Sequence, residues 1–161
     1  MRRRLFLYLA LACFVGLIVI FVVDGYLGIY DTIYVTTGEY EQEIPPDFWL
    51  RHDRIWSTGA RWGEKIFFRY EVDNRQFATY STTIKVTVWK ENEKIADLLA
   101  EDKAVKPFHK ATVECTLDPK ELERYGFSAG QYSVKIDRDG VERKIIVDYH
   151  TEYPPKPTRI R

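Results

Sequence analysis

The sequence lacks the residues that usually mark disulfide-rich and metal-binding proteins. Its two cysteines, Cys13 and Cys115, lie in an apolar run and in an alternating segment, so we expect no disulfide framework. The initiator is the single methionine, and the three histidines are scattered, which disfavours a copper or zinc site. We therefore expect no metal ligand and no cofactor, and we interpret Cys115 as a small apolar core residue.

Catalytic signatures are also missing. The chain contains no G-x-S-x-G, S-x-x-K or H-E-x-x-H motif and no phosphate-binding glycine loop. From residue 25 onward, 21 Lys or Arg residues stand against 23 Asp or Glu residues, without the clustered basic face of a nucleic-acid-binding protein. These absences predict a protein that is not an enzyme, has no catalytic residue to nominate and does not bind nucleic acid. An unrecognised exported hydrolase is a further alternative.

The N-terminal segment has the pattern of a membrane anchor. Residues 5–23 carry no charge, and as a helix they would rise about 28 Å against a hydrocarbon core of about 30 Å. Arg2, Arg3 and Arg4 precede the run, which predicts residues 1–4 in the cytoplasm and the remainder outside. Cleavage after Ala12 is an alternative, but it would leave only about five apolar residues upstream.

These features predict a single-pass protein of the cytoplasmic membrane. The lipid bilayer would hold residues 5–23, and residues 24–31 would form a juxtamembrane linker before the exported domain. Asparagine occurs twice and glutamine three times, a scarcity that is typical of heat-adapted proteins and favours a prokaryotic source.

Beyond residue 30, apolar and polar residues alternate with period two. The alternation covers residues 66–73, 84–89, 111–117 and 132–137, and further strands are expected near 32–36, 94–98 and 143–149. Each segment would bury one face, as strands of antiparallel sheets do. The alternation places on the core side Phe68, Val86, Cys115, Tyr132 and Val134, and on the water side Arg69, Lys85, Thr116 and Lys135.

Short connections are predicted between these strands. Asp139-Gly140 has the composition of a tight hairpin, and residues 90–93 form a second candidate turn. Asp118 followed by Pro119 predicts the start of a short helix, and Gly126 predicts its end. We expect this helix to carry the chain from one sheet to the other.

Residues 129–134, Ala-Gly-Gln-Tyr-Ser-Val, follow the predicted helix and precede the Asp-Gly hairpin. This opening of a late strand resembles immunoglobulin-like sandwiches, in which a tyrosine at the place of Tyr132 forms a tyrosine corner. The resemblance implies a mainly β, antiparallel two-sheet sandwich over residues 32–150 with one short connecting helix. It departs from antibody domains, since there is no cysteine pair and Trp89 is out of phase with Val86 and Val88. It assigns no activity.

Residues 44–63 are rich in Trp and Arg and show no clean periodicity. Such residues are enriched at binding hot spots, because flat rings desolvate well and guanidinium groups stack on them. The alternative is that the aromatic residues pin a long, irregular loop over an open end of the core. The candidate partner-binding residues are Phe48, Trp49, Arg51, Arg54, Trp56, Arg61 and Trp62.

The C-terminal residues 151–161 contain three prolines within four positions and should form an extended, flexible tail. This tail is either a frayed terminus or a docking peptide.

Taken together, the patterns predict a membrane-anchored, non-enzymatic interaction module that presents a β-sandwich to a protein or envelope partner. The alternative is an accessory subunit of a larger membrane complex.

Overall fold

The computed structural model describes residues 8–19, 28–45 and 56–152. Over these residues the chain is mainly β, with two sheets and few helices. Residues 8–19 form helix α1, and α2 (Pro119–Arg124) joins the seventh strand to the eighth. The strands are β1 (Ile29–Thr37), β2 (Tyr40–Ile44), β3 (Trp56–Arg61), β4 (Ile66–Asn74), β5 (Tyr80–Lys90), β6 (Glu93–Val105), β7 (His109–Leu117), β8 (Gly130–Arg138) and β9 (Val141–His150).

The two sheets share one hydrophobic core. The four-stranded sheet has the order β2-β1-β4-β7, and the five-stranded sheet has the order β3-β9-β8-β5-β6. The predicted mainly β class with two sheets is confirmed. One pair, β3 with β9, is parallel, so the expectation of a wholly antiparallel arrangement is wrong. Strand β3 follows a long connection from the other sheet rather than a hairpin, which allows it to run in the same direction as β9.

Strand β3 also corrects the interpretation of residues 44–63 as one irregular loop. Burial alternates along this strand, with Trp56, Thr58 and Ala60 on the core side, but these three are an aromatic, a polar and a small residue rather than a uniformly apolar set. Gly59 contributes no side chain to either face. A short edge strand with this composition does not give the pattern of a half-buried strand, so the sequence did not reveal it.

The predicted strand register is confirmed by burial. Phe68, Val86, Tyr132 and Val134 are at most 2% exposed, so they face the core as the alternation indicates. Cys115 is half-buried, and burial raises the pKa of its thiol to about 12. A thiol with that pKa is not a reactive nucleophile at neutral pH.

Some residues on the water side are less exposed than predicted. Lys85 is exposed, whereas Arg69, Thr116 and Lys135 are half-buried. Long side chains lie along neighbouring rings on the outer faces of the sheets. The Lys135 ammonium, for example, lies 4.4 Å from the ring centre of Trp89.

Both predicted hairpin turns are present. Asp139 and Gly140 have φ angles of 52° and 84° between β8 and β9, and Glu91 and Asn92 have φ angles of 50° and 69° between β5 and β6. Two central residues with positive φ define the turn type whose twist matches paired antiparallel strands. The sequence therefore located both connections.

Helix α2 begins and ends where the sequence predicts. Asp118 is the N-cap and accepts a hydrogen bond from the backbone N–H of Lys120 at 3.0 Å, and Pro119 follows it. Gly126, with a φ of 82°, stands just after the helix. The helix links β7 of the four-stranded sheet to β8 of the five-stranded sheet, as expected.

A network of buried and half-buried polar side chains crosses between the sheets. Asp31 of β1 accepts a hydrogen bond from the Tyr70 hydroxyl at 2.8 Å, and Arg138 of β8 donates to the same hydroxyl at 3.1 Å. Arg143 of β9 lies 3.5 Å from Asp31. Burial raises the pKa of Tyr70, so its hydroxyl stays protonated at neutral pH. Removing one of these side chains would leave its buried partner without a hydrogen bond or an ion pair. We therefore assign this polar network a structural role.

The N-terminal prediction requires correction. Over residues 8–19, 28–45 and 56–152, no helix is long and apolar enough to cross a membrane. This finding contradicts the predicted single-pass anchor over residues 5–23 and the membrane localisation drawn from it, and both are withdrawn.

The predicted C-terminal tail falls outside the described residues from residue 153 onward.

Candidate interaction surface

Three of the predicted partner-binding residues fall in the described part of the chain. Trp56 and Trp62 are half-buried and pack against the core, and Arg61 is exposed at the end of β3. The packing of both indoles agrees with the alternative in which the aromatic residues pin the segment. Outside the described residues lie Phe48, Trp49, Arg51 and Arg54, so a binding role for this segment stays a prediction.

Trp62, Tyr132 and Tyr149 form a cluster at the end of the domain where β3 and β9 finish; we call it the aromatic cap. The Trp62 ring stacks on Tyr132 at a centroid distance of 6.3 Å and meets Tyr149 edge-on at 5.3 Å. The Trp62 indole N–H donates to Glu123 at 2.7 Å, and the Tyr132 hydroxyl donates to the carbonyl of Ser128 at 2.6 Å. The rings and these polar groups are thus paired within the domain.

A second aromatic surface lies at the opposite end of β4. Phe77, in the loop after β4, is 62% exposed, and Phe108, in the loop after β6, is 59% exposed. Their rings meet edge to face, with centroids 5.0 Å apart and an interplanar angle of 84°. This geometry is favoured because the positive edge of one ring faces the negative face of the other. We call these two residues the phenylalanine tip.

One buried side chain holds both loops of the tip. Asn74, at the end of β4, is fully buried. Its amide nitrogen donates to the carbonyl of Ala78 at 2.9 Å and to those of Val105 and Lys106 at 2.8 and 3.2 Å. Its oxygen accepts from the N–H of Gln76 at 3.0 Å. Asn74 therefore fixes the loop of Phe77 and the loop of Phe108 relative to each other.

The backbone of Phe108 adopts an unfavourable conformation. Its φ is 58°, in the left-handed region that bulky L residues rarely occupy. The backbone N–H of His109 donates to the carbonyl of Lys106 at 3.2 Å, which closes the turn around Phe108. A strained residue that carries an exposed ring is a reason to look for function, because folding alone gains little from it.

The surroundings of the tip are basic. Arg75, Lys106 and Lys110 are exposed and positively charged. Asp73 pairs with Arg75 at 3.1 Å and Glu71 approaches Lys110 at 3.7 Å, but residues 74–83 and 103–113 contain no Asp or Glu. The tip therefore combines two apolar rings with a rim of positive charge.

Neither Phe77 nor Phe108 belongs to a pattern that the sequence makes conspicuous. Each is a lone phenylalanine in a short polar connection, and this is a signal that could have been used. Their meeting, however, depends on the hydrogen bonds of Asn74 to two loops that are distant in the sequence, and spacing does not reveal such a bridge. Within the described residues, no group of three or more His, Cys, Asp or Glu could hold a metal ion.

Comparisons with known proteins add little to this geometry. No protein-family model and no curated protein matches the chain. It is similar to the alkylpurine DNA glycosylase AlkC of Pseudomonas fluorescens bound to DNA, with 11% identity and a TM-score of 0.43 over 58% of this chain and 27% of that chain. It is also similar to the β-glucosidase of Listeria innocua in complex with glucose, with 13% identity and a TM-score of 0.41 over 74% of this chain and 16% of that chain.

Both similar structures belong to enzymes, and this finding contradicts the prediction that the chain is not an enzyme, which is withdrawn. The matched regions cover under a third of those longer chains. Since TM-scores of 0.43 and 0.41 carry no argument about family or activity, neither activity is transferred to this chain.

Proposed function

We propose that this chain is a protein-interaction module, an immunoglobulin-like β-sandwich that binds a partner protein through the phenylalanine tip. The observation that carries the proposal is the pair of exposed, touching rings whose loops are held by one buried asparagine. A surface that is rigid before binding loses less conformational entropy when the complex forms.

The strand order supports the immunoglobulin-like part of the proposal. In chain order, β1, β4 and β7 correspond to strands A, B and E of such sandwiches, and β5, β8 and β9 correspond to strands C, F and G. The hydrogen bond from the Tyr132 hydroxyl to the carbonyl of Ser128 is the contact that a tyrosine corner makes. These features describe a scaffold, and the function lies in the surfaces that the scaffold presents.

The energetics favour binding over folding as the role of the tip. Fully burying one phenylalanine side chain stabilises by roughly 1.5–3 kcal/mol, so two rings offer roughly 3–6 kcal/mol. A micromolar complex requires about 8 kcal/mol in total. Because Phe77 and Phe108 are more than half exposed, most of that gain is not used within the domain.

The charges indicate the chemistry of the partner. Arg75, Lys106 and Lys110 surround the tip, so a partner with acidic residues around an apolar pocket is complementary to it. Exposed charges at the rim act mainly on the association rate and on specificity, whereas the rings supply affinity. Binding should therefore be faster at low ionic strength.

Replacing both rings tests the proposal. Proteins retained by the immobilised chain from an extract of the source cells would be identified, and the affinity of the purified partner would then be measured. The double variant Phe77→Ala/Phe108→Ala should weaken that affinity at least about 100-fold, since two anchors are lost. The matched control is Phe67→Ala, because Phe67 is 50% exposed on the outer face of the four-stranded sheet, away from the tip. Equal affinities for the double variant and the wild type would contradict the proposal.

The apolar side chains of α1 favour a second candidate, an accessory subunit of a larger complex. Tyr8, Leu9, Phe14 and Leu17 are 68%, 63%, 61% and 64% exposed. A helix that is apolar all round is usually buried against other structure. Deletion of residues 1–19 should abolish complex formation under this candidate and leave it intact if the phenylalanine tip is the contact.

A further inference from the structure

The outer face of the five-stranded sheet carries a surface cavity of about 500 Å³. Trp89 of β5, Ser133 of β8 and Ile146 of β9 pair in register and form one row of its floor. The turn residues Glu91 and Asn92 line one side. Because Trp89 lies near the end of β5 and Phe77 lies before its beginning, the cavity is separate from the phenylalanine tip.

The Trp89 ring is held in place by its neighbours. Its indole N–H donates to the Thr87 hydroxyl at 2.8 Å, so the polar group of the ring is satisfied within the sheet. The Lys135 ammonium lies 4.4 Å from the ring centre and also pairs with Glu142 at 3.2 Å. Lys135 does not line the cavity, whereas Trp89 does. The indole therefore presents a fixed apolar wall to the cavity.

The rest of the lining is mostly polar and can both donate and accept hydrogen bonds. Gln131, Ser133 and Asn92 provide amide and hydroxyl groups. The charged groups of the lining are the ammonium groups of Lys90 and Lys144 and the carboxylate of Glu91. The Gln131 amide donates to Asp148 at 2.9 Å, which orients the amide oxygen. A ligand that fits must offer alternating donors and acceptors around one apolar face.

We infer that this cavity binds a saccharide. The C–H face of a sugar ring carries partial positive charge and packs on the negative face of an indole, while each hydroxyl both donates and accepts. A largely apolar ligand would need a predominantly hydrophobic lining, which this cavity lacks. An anionic ligand would need cations without other partners, yet the Lys90 ammonium lies 5.0 Å from the ring centre of Tyr132, and the Glu91 carboxylate lines the same cavity as Lys144. The volume lies within the range of small-molecule sites.

Amide-resolved NMR of the full chain with a panel of soluble disaccharides (cellobiose, maltose, chitobiose, xylobiose and mannobiose) tests the inference. At least one sugar should shift the Trp89 indole resonance and the amide resonances of Gln131 and Ser133, with a dissociation constant of about 1 mM or tighter. Trp89→Ala should weaken binding at least about 10-fold, and Trp89→Phe should retain part of it because a ring remains.

The matched control is Phe77→Ala, which removes a ring from the tip and should leave the sugar-induced shifts unchanged. The inference is overturned if no sugar in the panel shifts these resonances at about 10 mM, ten times the expected dissociation constant. It is also overturned if the shifts map elsewhere, or if inorganic phosphate alone shifts these resonances. Trp89→Ala must keep the dispersed spectrum of the folded chain; if it does not, Trp89→Phe and Ser133→Ala provide the comparison, and unchanged binding in both overturns the inference.

Discussion

The aromatic cap and the phenylalanine tip lie at opposite ends of β4, which spans roughly 27 Å. Each brings together rings from segments that are distant in the sequence. In the cap, Tyr132 and Tyr149 are at most 2% exposed and Trp62 is half-buried, whereas Phe77 and Phe108 of the tip are more than half exposed. The cap packs its rings on one another and on the core, while the tip holds its rings in water.

The two ends also differ in what fixes them. Polar groups on the rings themselves, such as the Trp62 indole N–H and the Tyr132 hydroxyl, form hydrogen bonds within the domain and hold the cap. The tip rings have no polar groups, and the loops that carry them are held from below by Asn74. Stability and binding should therefore be separable by substitution, with the cap governing the first and the tip governing the second.

The largest expected effect is on the cap. Trp62→Ala removes a half-buried ring that contacts Tyr132 and Tyr149, and it should lower the free energy of unfolding by about 3 kcal/mol. The measurement is chemical denaturation at constant temperature. Affinity for the partner of the phenylalanine tip should stay within about two-fold, since the site is far away. A stable Trp62→Ala variant with weakened binding would reverse the roles assigned to the two ends.

A smaller loss of stability, coupled to a loss of binding, is expected for Asn74→Ala. The substitution leaves the carbonyls of Val105 and Lys106 without this buried donor, at a cost of about 2 kcal/mol. Unlike Trp62→Ala, it should also weaken partner binding about 10-fold, because the two loops of the tip lose their common support. Circular dichroism confirms the fold, and titration with the partner measures the affinity. If Asn74→Ala and Trp62→Ala bind the partner equally well, Asn74 does not organise the surface.

Much of the scaffold was accessible from local patterns. The alternation around Phe68 and Tyr132 gave the buried faces, and Asp139-Gly140 and Asp118-Pro119 gave a turn and a helix start, because each depends on residues that are adjacent in the sequence. Strand β3 was missed because its position depends on pairing with β9, and because its core-facing residues, Trp56, Thr58 and Ala60, are not uniformly apolar. The length of the N-terminal apolar run led to an anchor that the described helix does not support.

The candidate site was less predictable for a physical reason. Composition directed attention to the Trp- and Arg-rich residues 44–63, yet the two indoles that the structure describes there, Trp56 and Trp62, pack against the core. Tryptophan and arginine stabilise both cores and interfaces, so their abundance does not separate the two. Exposure separates them, and the exposed rings of Phe77 and Phe108 lie in two loops that the hydrogen bonds of Asn74 hold together.

The smallest expected effect concerns the strain at Phe108. Its φ of 58° costs an L residue roughly 1–2 kcal/mol, and glycine avoids that cost while losing roughly 0.5–1 kcal/mol of chain entropy on folding. Phe108→Gly should therefore leave the free energy of unfolding unchanged or raise it slightly. Phe77→Gly is the matched control, because Phe77 is not among the residues with positive φ and gains no such relief. Chemical denaturation should place Phe108→Gly about 1 kcal/mol above Phe77→Gly, while both variants bind the partner more weakly than the wild type. Equal destabilisation by the two substitutions would mean that the backbone of Phe108 is not strained, and that its conformation gives no indication of function at the tip.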